Sequence, residues 1–252
     1  MKQCLFCDNK ADTREHLWPK WILKNVDIPI MHSIGNSATK EIASPQMTVK
    51  CVCSVCNHGW MSQLEDSVKP TIGCMIEDIG MPLDTAQQFA IARWAVKTSM
   101  IADVINQRNR TPFYRPEDRV AMRTTCTIPE RTQVWIGNFI GRSLLADALD
   151  LALDPVSESS KPSYGIANTF LVGHFTVQVF SIRVAPEYDD RPIVIHTRKG
   201  VPWSRLLVPI WPPAGRTIRW PPPLRFSFYG PLAIGVLAQR LRIGTCRDVP
   251  LF

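Results

Sequence analysis

The chain of 252 residues carries a formal net charge of +7, with 45% of its residues hydrophobic and 20% charged. That length holds one large domain or a small module on a larger body, and the composition excludes a disordered chain. No run of roughly eighteen or more apolar residues occurs, and the opening MKQCLFCDNK has no apolar signal-peptide core, so neither a membrane-spanning helix nor a secreted product is expected.

The expected compartment is therefore the cytoplasm, where closely spaced cysteine pairs are metal ligands far more often than disulfides. Residues 1–70 carry two such pairs, Cys4-x-x-Cys7 and Cys53-x-x-Cys56. Four thiolates are what tetrahedral zinc takes, so these residues are read as one structural zinc site. Cys51 competes with Cys53 for a place in it. Cys53 is preferred because its spacing to Cys56 repeats the tight knuckle of the first pair. The gap between the knuckles is longer than in a simple zinc ribbon, so further structure is folded between them. Trp18 and Trp21 are expected to pack this module against the body. A helix beginning near Ser54 brings Trp60, Met61 and Leu64 to a core at helical spacing, and Glu65 reads as an ordinary helix-surface carboxylate, with a metal ligand as the alternative.

Residues 71–252 form the body. Asp84 and Thr85 read as helix-start residues before TAQQFAIARWAVKTSMIADVINQR. Phe89, Ala92, Val96 and Met100 lie along one stripe of this segment, and Ile91, Trp94, Thr98, Ile101 and Ile105 along another. A helix apolar on two sides is buried between layers. Helical structure is expected over 84–125, with Pro116 just inside a second helix start. Arg108, Arg110, Arg115, Arg119, Arg123 and Arg131 stud this stretch. They read as a solvated face rather than phosphate contacts, because Glu117, Asp118 and Glu130 dilute the charge.

Residues 132–200 are strand-rich. QVWIGNFI, NTFLVGHFTVQVFSIRV and PIVIHT are β-branched and aromatic runs separated by turn formers. SLLADALDLAL (143–153) interrupts them with helical spacing and is expected to be a helix. Seven prolines and three tryptophans (Trp203, Trp211, Trp220) fall in 201–223. Such proline density forbids a regular helix or a central strand, so an extended wrap anchored by tryptophan is expected. YGPLAIGVLAQRLR (229–242) reads as a short C-terminal helix. The fold class is α+β, with a mostly antiparallel β body.

Between the knuckles lies Thr13-Arg14-Glu15-His16-Leu17-Trp18-Pro19, and directly after them Cys56-Asn57-His58-Gly59-Trp60-Met61-Ser62-Gln63-Leu64-Glu65. This order of CxxC, Glu-His-x-x-Pro and CxxC-Asn resembles HNH endonucleases of the ββα-metal fold, in the branch stapled by a four-cysteine zinc. The fuller string is similar to a bacterial and phage subgroup of that family. The motif resemblance covers about the first quarter of the chain, and the body is similar only in outline. It implies His16 as general base, Glu15 as a ligand of a catalytic divalent ion, and Asn57 as the ligand at the family's final position. The family more often has Asp where this chain has Glu15. Its middle Asn, which braces the His loop, corresponds here to Thr48, with Asn36 as a second candidate.

The chemistry can be argued beside the resemblance. Cleaving a phosphodiester needs a nucleophilic water, a base and a cation. Neighbours on a strand point to opposite faces, so Glu15 can reach a metal while His16 addresses water. The amide oxygen of Asn57 can bind the same cation, and oxygen ligands suit Mg²⁺ or Mn²⁺ better than zinc. His58 is an alternative to Asn57, read mainly as a solvated residue. His32, expected in a loop, and His174 and His196, in strand patterns, read as structural or surface residues. The expected function is a metal-dependent endonuclease acting on nucleic acid, DNA above all. The positive charge suits that partner, although no Lys/Arg tract stands out. The alternative is a non-catalytic, zinc-stapled nucleic-acid-binding protein.

Overall fold

The computed structural model describes residues 2–24, 30–34, 40–41, 47–105, 112–153, 163–183, 193–197, 207–226 and 241–245. Strand β1 (Thr13–His16) leads through Leu17-Trp18-Pro19 into the short helix α1 (Lys20–Lys24). The Pro19 carbonyl accepts from the N–H groups of Ile22 and Leu23. Strands β2 (Ile30–Ile34) and β3 (Lys40–Glu41) follow, and β4 (Thr48–Val52) returns antiparallel to β1. The chain then turns helical through α2 (Ser54–Cys56), a wider turn over Asn57–Met61 that kinks at Gly59, and α3 (Ser62–Ile76). Helix α3 runs unbroken past residue 70, so it extends from the N-terminal segment into the body.

After the short strand β5 (Met81–Leu83) comes α4 (Thr85–Ile105). Asp84 Oδ1 accepts from the Gln87 N–H at 2.7 Å while Gln87 Oε1 accepts from the Asp84 N–H at 3.0 Å, a reciprocal cap that fixes the helix start. On one expected stripe Ala92, Val96 and Met100 are buried and Phe89 is half-buried; on the other Ile91, Trp94, Thr98 and Ile101 are buried and Ile105 is half-buried. Helix α5 (Pro116–Thr124) has Pro116 in its first turn, and Asp118 accepts from the Arg115 N–H at 2.9 Å.

The rest of the body hangs on two long antiparallel strands, β6 (Thr132–Leu153) and β7 (Ser163–Arg183), whose register breaks between Asn138 and Ser143. The helix expected over 143–153 is therefore not formed; those residues are the second half of β6. Alternate residues there are buried on opposite faces. Leu144 and Ala146 enter the main core, whereas Leu145 joins Phe139 and Leu171 in a small cluster on the other side. A strand covered on both faces loses its polar alternation, and its leucines then mimic helical spacing.

Strand β8 (Ile193–Thr197) pairs with β12 (Leu241–Thr245), while β9 (Val208–Trp211) and β10 (Ile218–Trp220) lie in the proline-rich segment and β11 (Arg225–Phe226) follows it. β9 pairs antiparallel with the start of β6, and farther along that edge β11 and then β2 pair with it in parallel. β10 pairs with β5. His32 thus lies in strand β2, not in a loop. Leu241 and Arg242, expected in a C-terminal helix, lie in β12, and the remainder of that expected helix is outside the described residues. Asn36, Arg108, Arg110 and Trp203 also lie outside them. Trp211 packs on Phe89, centroids 5.4 Å apart, and Trp220 is fully buried, so these two tryptophans anchor the described part of that segment.

One hydrophobic core runs from Cys4 and Phe6 through Trp18 and α4 to Phe170 and Trp220. Helix α4 is tied to the long strands by a buried polar network. The Tyr114 hydroxyl lies 2.8 Å from Ser99 Oγ and 3.0 Å from Ser181 Oγ, and Asn168 Nδ2 donates to Ser99 Oγ. Among the described residues no helix is long and apolar enough to cross a membrane.

Candidate functional site

The sulfur atoms of Cys4, Cys7, Cys53 and Cys56 all lie within 4.8 Å of one another. Cys7 Sγ is 3.6 Å from the sulfurs of both Cys53 and Cys56. Tetrahedral zinc–thiolate bonds of about 2.3 Å set sulfurs roughly 3.8 Å apart, so the group fits a metal such as zinc. Cys51 is outside the group. It sits buried on β4, where burial first and the Glu15 charge second push its thiol up to about 12. Cys53 goes the other way. Burial raises its thiol, but donors that include the Cys56 N–H at 3.4 Å and Asn9 Nδ2 at 3.7 Å outweigh that and bring it down to about 7. A ligand thiol must be deprotonated, and these N–H groups favour that state at Cys53, whereas burial raises the thiols of Cys4 and Cys56.

The cysteine group fixes the parts around it. The Leu5 N–H donates to the Cys51 carbonyl, and the Ser54 N–H donates to Asp12 Oδ1 at 2.7 Å. The β1–β4 ladder sets Glu15 opposite Val49 and His16 opposite Thr48. Thr48 receives Arg14 Nε on its hydroxyl at 2.9 Å and Arg14 Nη2 on its carbonyl at 3.3 Å. It therefore ties β4 to β1 through Arg14. Asn57 follows Cys56 and gives its side-chain NH₂ to Thr13 Oγ1 at 3.1 Å and to the Arg14 carbonyl at 3.5 Å. Its hydrogens thus serve β1, and its oxygen remains for another partner.

Glu15, His16 and Asn57 line one cleft of about 510 Å³, together with Arg14, Met61 and Glu65. Lys20, Lys24 and Lys69 are exposed along it, and exposed His58 also borders it. His16 is half-buried; desolvation first, then the Lys20 charge, hold its imidazole below the usual histidine value despite Glu65. A neutral imidazole is the form that accepts a proton.

One residue of this site escaped the sequence reading. Lys97, from α4 in the body, has only 1% of its side chain exposed, and its Nζ lies 2.9 Å from Glu65 Oε1 and 3.3 Å from Glu15 Oε1. Burial presses the ammonium down, but the two carboxylates outweigh it and hold Lys97 above the usual lysine range. Burial raises the Glu15 carboxyl, with Lys97 opposing. Glu65 is accordingly no ordinary surface carboxylate. A signal was present in the chain: a charge inside a segment apolar on two sides requires a buried counter-charge. The sequence did not say which carboxylate that would be.

Compared with known proteins, the chain matches no family model, no curated protein and no solved structure.

Proposed function

We propose that the protein is a metal-dependent HNH-type endonuclease that hydrolyses phosphodiester bonds in DNA, with His16 as general base. The observation that carries this reading is the meeting of His16, Glu15 and Asn57 in one cleft, on two antiparallel strands and a helix held by the four-cysteine group. That order of strand, strand and helix is the one the ββα-metal fold uses. The donor set supports a divalent ion as well. Glu15 and Asn57 offer carboxylate and amide oxygens, the chemistry of Mg²⁺ and Mn²⁺ sites. Glu15 already accepts from Lys97 through Oε1, yet a carboxylate has lone pairs enough for a second cation.

A bound divalent ion would supply neutralisation of charge on the phosphate and on the leaving oxygen. The chain's own residues do the remainder. His16 takes the proton from the attacking water through its neutral ring. Asn57, turned by Thr13, and Glu15, anchored by Lys97, hold their oxygens in the cleft without reorganisation. Exposed Lys20, Lys24 and Lys69 attract the phosphate backbone and position the strand across the site. The same basic rim suits a second reading, a zinc-stapled nucleic-acid-binding protein without catalysis.

Supercoiled plasmid incubated with the purified chain separates the two. Nicking that requires Mg²⁺ or Mn²⁺ and stops with EDTA is the expected result. Retained binding with no cleavage under any divalent ion would overturn the hydrolase and leave the binding protein.

A further inference from the structure

The pairing of Lys97 with two carboxylates carries a consequence for the charge of the cleft. A buried helix position needs no lysine for stability, since an apolar side chain of similar volume is generally as good or better. The neighbours of Lys97 in α4, Val96 and Thr98, are buried as well. Its ammonium is spent on Glu15 from β1 and Glu65 from α3, two elements of the cleft wall. Asn57, Met61, Glu65 and Lys69 follow at every fourth position, and all four line the cleft, so Glu65 shares the helical face of Asn57. The two carboxylates differ in access. Glu65 has 22% of its side chain exposed against 8% for Glu15.

We propose that Lys97 and Glu65 belong to the site, Lys97 as a positioning residue that anchors Glu15 and holds down the cleft's affinity for divalent cations, Glu65 as its second, more accessible carboxylate. The inference rests on reading this cleft as a metal-dependent hydrolase. With both carboxylates ionised, the three groups sum to one negative charge. A cation approaching Glu15 also meets the Lys97 ammonium, so the free protein holds a divalent ion weakly. Substrate phosphate adds the missing oxygen ligands and negative charge, and the ion is retained when substrate is present. Without Lys97 the two carboxylates face each other unshielded, an arrangement that captures a cation tightly and leaves Glu15 free to move.

The test is Mn²⁺ binding to the full, zinc-loaded chain in the absence of nucleic acid, read from the electron paramagnetic resonance signal of free Mn²⁺. Lys97→Met is expected to tighten binding by about tenfold or more, since one repelling charge at close range is lost. Glu65→Gln is expected to weaken it by a similar factor, and Lys97→Arg to keep the wild-type value. On plasmid, Lys97→Met should lower kcat more than it changes KM, with Lys97→Arg recovering part of the loss. Unchanged or weaker Mn²⁺ binding in a cooperatively folded Lys97→Met protein would overturn the proposal. If that variant does not fold, Glu65→Gln decides: wild-type affinity there would overturn it equally. Cleavage does not enter the Mn²⁺ measurement. A chain that follows this order of affinities but never nicks plasmid would contradict the hydrolase and leave the charge assignment standing.

Discussion

Asn57 Nδ2 donates to Thr13 Oγ1 at 3.1 Å, so the residue following the second cysteine knuckle is turned by the strand that carries Glu15 and His16. The direction of its amide oxygen is therefore set by a hydroxyl. Thr13→Val removes that hydroxyl at nearly constant volume. Thr13 Oγ1 also donates to the Val52 carbonyl at 3.0 Å, so the change is expected to cost about 1–3 kcal/mol of stability, the usual net worth of two hydrogen bonds. Plasmid nicking should fall on the order of tenfold or more, because small displacements of positioned groups are costly. Thr13→Ser should restore most of the rate. Denaturant titration and nicking kinetics, run on the same preparations, check both halves.

The cysteine group makes a separate prediction. Metal analysis should find about one zinc per chain, and Cys56→Ser should lose it together with the fold of the N-terminal segment. Cys51→Ala should keep it, because Cys51 is outside the group. Zinc lost on replacing Cys51 but retained on replacing Cys56 would mean that the ligands are misassigned.

Trp18 makes an edge-to-face contact with Phe170 of β7, centroids 5.8 Å apart at 87°, and is fully buried between the N-terminal segment and the long strands. Trp18→Ala is expected to destabilise the chain by about 3–5 kcal/mol. It should also weaken the site, since Trp18 lies two residues from His16. Urea unfolding measures the first effect. A loss below roughly 1 kcal/mol would show that the two parts are held together elsewhere.

Gly173, in β7, has a φ of +57°, and a Cβ there would stand 2.6 Å from the Ile76 carbonyl oxygen at the end of α3. Both the backbone conformation and the close approach require glycine. Gly173→Ala is expected to cost about 2–4 kcal/mol, the sum of left-handed strain and overpacking. Gly215 has φ +67° but open space around it. The same change there should cost only the strain, about 1–2 kcal/mol. Equal losses at the two glycines would contradict the close packing of β7 on α3.

Much of this arrangement is legible in the residues themselves. The cysteine spacing brings four sulfurs together, Asp84 and Thr85 mark the start of α4, and aromatic, β-branched runs mark β6 and β7. What escapes is of two kinds. In SLLADALDLAL, Leu144 and Leu145 are buried on opposite faces of β6, so the polar alternation that marks a strand is missing there. Lys97 and Glu65 are recognisable as charges, but their pairing depends on α4 packing against α3 and β4, which no local pattern encodes. The brace between Arg14 and Thr48 escaped for the same reason, being a cross-strand contact set by register.

The central claim is that His16 takes the proton of the attacking water, and single-turnover nicking of supercoiled plasmid by wild type and His16→Ala tests it most directly. With zinc content and cooperative unfolding unchanged in the variant, the expected loss of rate at saturating Mg²⁺ is about 10²–10⁴-fold, the contribution of a positioned general base. A folded, zinc-loaded His16→Ala protein that nicks at the wild-type rate would contradict the account.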